Sequence, residues 1–86
     1  MNSVEKATWI LKRLAQPPYS MSLVSISREL GMGRSGAHKI LSVLKEGNLV
    51  TQNEETKQYR LGIAIYRMGN EFSKQLGIWD AAENIL

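Results

Sequence analysis

The stretch Ile26–Ser27–Arg28–Glu29–Leu30–Gly31–Met32–Gly33–Arg34–Ser35–Gly36–Ala37–His38–Lys39–Ile40–Leu41–Ser42–Val43–Leu44–Lys45 reads as two helices joined by a tight turn. The first ends at Leu30, where Gly31 supplies the backbone freedom that a helix C-terminus favours. The second is expected to start near Gly33 and Arg34 and to run to about Glu46, where Gly47–Asn48 stops it. Ala37, Ile40, Leu41 and Leu44 recur at i, i+3, i+4 and i+7, giving this helix one apolar face. At about 100° per residue, Ser35, His38, Lys39 and Ser42 point the opposite way. That face is small, polar and cationic, with no carboxylate among the four. Helix, glycine-bearing turn and helix together form the helix-turn-helix signature. A second helix with these two faces suits insertion into a DNA major groove.

Upstream, Val4 to Ala15 reads as a helix with Val4, Ala7, Ile10, Leu11 and Leu14 as its buried stripe. Ser3 is the expected cap, a partial one because Lys6 stands where a capping-box glutamate belongs. Trp9 lies off the stripe, which suits either the edge of the core or a contact with a second subunit. Gln16–Pro17–Pro18–Tyr19–Ser20 ends this helix, since proline disfavours helix at the residue before it. Ser22 can cap the next helix, with Leu23, Ile26 and Leu30 facing inward.

Downstream, Leu49–Val50–Thr51–Gln52 and Gln58–Tyr59–Arg60–Leu61 have strand character, and Asn53 to Lys57 form a polar turn between them. A hairpin directly after the second helix is the wing of a winged helix. Lys57 and Arg60 place cations on it that can neutralise phosphates, whereas Glu54 and Glu55 would keep the tip itself away from DNA. From Ile63 to Leu76 the pattern is helical again. Ile65, Met68, Phe72 and Leu76 form a narrow apolar seam of coiled-coil type, expected to pack on a partner. Gly77 breaks that helix. Ile78, Ala81, Ala82 and Ile85 then begin a further amphipathic stripe that stops unfinished, as in a fragment of a longer protein. The expected fold is mostly α with a small β-hairpin: a winged helix-turn-helix over residues 1–62, then a linker helix and the start of a further domain over 63–86.

Composition narrows the function. The chain has 86 residues, no cysteine and one histidine, with a formal net charge of +3. Thiolate metal sites, disulfides and cysteine nucleophiles are therefore excluded. Residues 1–62 hold nine Lys and Arg against five Glu, while residues 63–86 hold two bases against three acids. The basic front fits a polyanionic partner. No apolar run approaches the roughly 20 residues needed to span a bilayer, and the N-terminus lacks the features of a signal peptide. These features imply a soluble, cytoplasmic protein without a membrane partner, and a DNA partner would make it nucleoid-associated. An acid–base pair at useful spacing, a phosphate-binding glycine loop and a metal cluster are all missing, so no catalytic residue, metal site or cofactor is expected, and the chain does not read as an enzyme.

With these residues in view, the chain resembles the N-terminal region of the IclR family of bacterial transcription regulators. The likeness runs from Val4–Glu5–Lys6–Ala7 and Ile10–Leu11 through Ser27–Arg28–Glu29–Leu30–Gly31–Met32 and Ser35–Gly36–Ala37–His38–Lys39–Ile40–Leu41. It continues in Leu44–Lys45–Glu46–Gly47 and Glu55–Thr56–Lys57–Gln58–Tyr59–Arg60–Leu61–Gly62, of which Tyr59–Arg60–Leu61–Gly62 is the most specific piece. The resemblance implies a homodimer on a palindromic operator in double-stranded DNA. It also implies a linker helix leading to a separate domain that binds a small-molecule effector. Four positions depart from the family pattern. Val24 stands where a capping serine or threonine is common, and Gly36 where threonine is. Gly33 replaces a frequent proline. Lys57 replaces a wing glycine, which calls for a different hairpin turn.

The candidate DNA contacts are Ser35, Gly36 and Lys39 first, then Arg34 and His38, with Ser42 on the same face. Arg34, at the helix start, can reach a phosphate or guanine O6 and N7. Gly36 would permit close backbone approach. Arg28 on the preceding helix suits a backbone phosphate or, equally, a surface ion pair. Lys57 and Arg60 complete the set from the wing. The candidate dimer contacts are Trp9, Ile65, Met68, Phe72 and Leu76. The rival reading is a winged helix used for protein–protein contact or dimerisation, without sequence-specific DNA binding.

Overall fold

Helix α1 (Ser3–Leu14) starts one residue earlier than expected, at the residue expected to cap it. Asn2, not Ser3, is the N-cap: its side chain accepts from the Glu5 amide at 2.8 Å, and the Glu5 carboxylate accepts from the Asn2 amide at 2.9 Å. This reciprocal capping box satisfies two amides that the first turn leaves without helical partners. The inward stripe of α1 is correspondingly shorter than expected. Ile10 and Leu14 are buried, Ala7 and Leu11 pack half-buried against the core, and Val4 is 74 % exposed. In this computed structural model, residues 1–77 are described; the stripe expected at Ile78, Ala81, Ala82 and Ile85 lies outside them.

Helix α2 (Leu23–Leu30) is capped by Ser22, whose Oγ accepts from the Ser25 amide at 3.1 Å. Gly31 closes it with φ of 65°, and the amides of Gly31 and Met32 donate to the carbonyls of Arg28 and Ser27. This is the Schellman arrangement, which ends a helix by reversing the chain sharply. Helix α3 (Arg34–Glu46) follows after three residues, the last of them its cap Gly33, and buries Ala37, Leu41 and Leu44. Its end repeats the Schellman geometry, but Asn48 rather than Gly47 takes the left-handed conformation, with φ of 59°. Asn48 and Leu49 donate to Lys45 and Leu44 at 3.0 and 2.9 Å.

The hairpin pairs β1 (Val50–Gln52) with β2 (Tyr59–Leu61) antiparallel, Thr51 opposite Arg60. Met21, from the loop between α1 and α2, extends this sheet. Its amide donates to the Tyr59 carbonyl at 2.9 Å and its carbonyl accepts from the Tyr59 amide at 2.8 Å. The wing is thereby fixed to the helices rather than projecting freely. Ile10, Leu14, Met21, Ile26, Leu41, Leu44, Val50 and Tyr59 form one core shared by α1, α2, α3 and the wing. Arg13 ties α1 to α2 through Glu29 at 3.3 Å. Helix α4 (Ile63–Leu76) leaves from the wing and has no buried residue.

Candidate nucleic-acid interface

The buried face of α3 determines what its other face can present. With Ala37, Leu41 and Leu44 turned into the core and Ile40 packed at its edge, Ser35, His38, Lys39 and Ser42 all stand exposed on the far side. Arg34 is exposed in the first turn of α3, directly after its cap Gly33. Gly36 lies on the flank and is half-buried: the space a Cβ would occupy is 2.7 Å from Met32 Cε. Met32 therefore covers that position. Arg28 is exposed on α2. The ion pairs among the described residues are Arg13–Glu29 and Lys74–Glu71, so the surface ion pair expected as an alternative for Arg28 does not form there.

The wing separates the two cations that the sequence grouped. Asn53 starts its turn by accepting from the Glu55 and Thr56 amides at 2.8 and 2.9 Å, the side-chain habit that makes asparagine a turn residue. The Lys57 amide then closes the loop on the Asn53 carbonyl at 2.7 Å. Lys57 itself takes φ of 64°. The turn is thus one that suits glycine, and the lysine adopts the left-handed conformation instead of imposing a different turn. Gln52 links this turn to α3, donating to the Lys57 carbonyl at 3.0 Å while its Oε1 accepts from Lys45 Nζ at 3.4 Å. Arg60 sits outside the turn, exposed in the middle of β2 opposite Thr51. It borders one surface groove with Leu14, Ala15 and Tyr19, and another with Ile63 and Tyr66. Sequence reasoning passed over Gln52 and Asn53. Asn53 carried a legible signal, an asparagine opening a polar turn, whereas the reach of Gln52 to α3 depends on strand placement.

The candidate dimer residues are differently disposed. Trp9 is half-buried against the core. On α4, Met68 and Phe72 are 61 % and 59 % exposed, flanked along the helix by half-buried Ile65 and Leu76. Among the described residues no group of three or more His, Asp or Glu is placed to hold a metal ion, and no helix is long and apolar enough to cross a membrane.

Three helices, the third with a polar, cationic face turned outward, and a two-strand wing define a winged helix-turn-helix protein. Residues 3–54 match the family model of the IclR helix-turn-helix domain. The chain is 31 % identical over 72 residues to the glycerol operon regulatory protein of Streptomyces coelicolor, covering 84 % of this chain and 28 % of that one. It is 30 % identical over 70 residues to the HTH-type transcriptional regulator XynR of Escherichia coli, covering 81 % and 28 %. Among solved structures, IclR of Thermotoga maritima superposes with a TM-score of 0.80 at 28 % identity, over 98 % of this chain and 34 % of that one. HmgR of Pseudomonas aeruginosa does so at 0.74 and 30 %, over 88 % and 32 %. The chain belongs to the IclR helix-turn-helix family, and the relatives it matches are named as regulators. It spans about 28 % of the length of the curated regulators it matches.

Proposed function

We propose that this chain reads a palindromic operator in double-stranded DNA as a homodimer, with α3 in the major groove and the wing on the flanking phosphates. One observation carries the reading: Ser35, His38, Lys39 and Ser42 form an exposed face of α3, with Arg34 beside it and no ion-paired carboxylate on any of its cations among the described residues. Short polar side chains let a helix approach base edges closely, and uncommitted cations gain by releasing counterions from phosphate. Arg28 serves as a backbone contact where α2 crosses the strand. Of the wing cations, Lys57 is the phosphate contact on the α3 side, and Arg60 a more distant one.

The seam of Ile65, Met68, Phe72 and Leu76 on α4 supplies the dimer contact, with Trp9 a lesser contributor. Residues 1–62 act as the reading domain and residues 63–86 as the linker toward a second domain. Control by a small-molecule effector belongs in this reading to that second domain. A cytoplasmic protein associated with the nucleoid fits this role.

Selection from a randomised duplex pool at near-physiological salt tests the proposal, with enrichment of a palindrome as the expected result. Arg34→Ala with Lys39→Ala should weaken binding and reduce the slope of log affinity against log salt by about 0.9 for each phosphate no longer neutralised. Unchanged duplex affinity with loss of a bound protein partner would instead establish the protein-contact reading.

A further inference from the structure

Helix α4 has no buried residue, yet its start is tied to the end of α3 by backbone hydrogen bonds. The Gly62 amide donates to the Leu49 carbonyl and the Ala64 amide to the Asn48 carbonyl, both at 2.9 Å. Asn48 and Leu49 are the two residues whose amides close α3 on Lys45 and Leu44. The same two residues therefore terminate the recognition helix with their N–H groups and receive the linker helix with their carbonyls. The approach is so close that a Cβ on Gly62 would collide with the Asn48 carbonyl oxygen and lie 2.9 Å from its carbonyl carbon and 3.1 Å from that of Leu49. All three are backbone atoms and cannot swing aside. Gly62 has an ordinary φ of −98°, so glycine is required there by space rather than by conformation.

We infer that the Asn48–Gly62 clasp is the specificity-determining joint that sets the spacing between the two half-sites of the operator. This rests on the proposed dimer through α4. If two copies meet along that helix, the distance and twist between their recognition helices are fixed by the angle at which α4 leaves α3. Half-site spacing follows directly from that geometry. A joint made of paired backbone hydrogen bonds and a filled contact behaves as a rigid element, since packed contacts have discrete arrangements instead of continuous play. Gly62, Asn48 and Ala64 touch no base themselves; they position the helices that do.

The test uses the 86-residue chain and a randomised duplex pool, followed by duplexes carrying the selected half-site at a series of spacings. Two variants open the clasp. Gly62→Ala forces the two backbones apart. Insertion of one glycine between Gly62 and Ile63 keeps the Gly62–Leu49 bond and frees α4 from Asn48. The insertion also guards against misfolding, because α4 buries nothing and the unfolding midpoint of the body should remain in place. The expected result is an unchanged half-site sequence with loss of discrimination among spacings, a readout that mere destabilisation would not move. If the insertion variant keeps the wild-type spacing preference, the clasp inference is overturned while dimeric DNA reading stands. Enrichment of single half-sites by the wild-type chain would overturn it together with the α4 dimer. No enrichment at all would overturn it together with the DNA reading itself.

Discussion

Helices α3 and α4 are nearly equal in length, thirteen and fourteen residues, and both carry an apolar stripe, yet they meet opposite fates. Helix α3 buries Ala37, Leu41 and Leu44, while α4 buries nothing and leaves Met68 and Phe72 in solvent. The difference lies in what surrounds them. The face of α3 meets Ile10, Leu14 and Ile26 from α1 and α2 and Val50 from the wing, which together close a core. By the time the chain reaches Ile63 that core is filled, and the clasp at Gly62 directs α4 away from it. An amphipathic stripe therefore shows that a helix needs an apolar neighbour, without saying whether the same chain supplies it.

Replacing one residue of each stripe gives the largest contrast. Leu41→Ala, at a fully buried position, should cost about 2–5 kcal/mol of unfolding free energy in urea titrations, combining the transfer energy of the missing methyl groups with a cavity. At concentrations where the chain is monomeric, Phe72→Ala should change the same unfolding free energy by no more than about 0.5 kcal/mol, while weakening self-association in sedimentation equilibrium. If Phe72→Ala lowers the midpoint as Leu41→Ala does, the division into a self-sufficient body and an unpartnered helix is wrong.

Gly36→Ala sharpens the view of α3 as a helix held by packing in spite of its composition. Alanine favours an interior helical position by up to about 1 kcal/mol over glycine. The only close neighbour of the new methyl is the flexible end of Met32, so the variant should be more stable by somewhat less than that amount. A loss of stability would mean that Met32 is held rigidly over the helix.

Lys57→Gly should produce a smaller change of two kinds. Removing a left-handed lysine relieves conformational strain, partly offset by the greater chain entropy of glycine, for a net gain of about 0.5 kcal/mol in thermal unfolding. The same variant should lower the salt slope of duplex binding by about 1, reporting one fewer neutralised phosphate. A stability gain without a change in slope would remove Lys57 from the DNA interface.

Tyr59 gives the smallest effect at ordinary pH. Burial raises its hydroxyl pKa above the ordinary value of 10.0, because the phenolate is poorly solvated there. Above that ordinary value the folded state holds this proton more tightly than the unfolded state, so stability falls as pH climbs through the folded pKa. Tyr59→Phe should flatten that alkaline decline, measured as the urea midpoint against pH, with little change near neutrality.

Much of this architecture was readable in the chain because its causes are local. The 3.6-residue recurrence of apolar positions located α1 to α4, Gly31 and Ser22 marked their ends correctly, and the polar run 53–57 separated two strands. The errors arose where two local solutions compete or where distant segments meet. Asn2 and Ser3 can both cap a helix, and the capping box with Glu5 decides between them; the Asn-x-x-Glu spacing was present to be read. Val4 continues the stripe of α1 but extends past the core, so its periodicity carries no burial. The bridge from Met21 to Tyr59 joins a loop residue to a strand 38 positions away, and no pattern in either segment announces it.

The candidate site divides in the same way. Local spacing alone put Ser35, His38, Lys39 and Ser42 on one helix face, because a helix assigns direction residue by residue. Family membership was likewise carried by short motifs along the chain, from Ser27–Arg28–Glu29–Leu30–Gly31–Met32 to Tyr59–Arg60–Leu61–Gly62. Tertiary structure alone decided that Met32 covers Gly36, that Lys57 is tied to α3 through Gln52 while Arg60 is not, and that Gly62 must be glycine. Each of these depends on the separation of backbone segments brought together by folding, a distance fixed only when the shared core has closed.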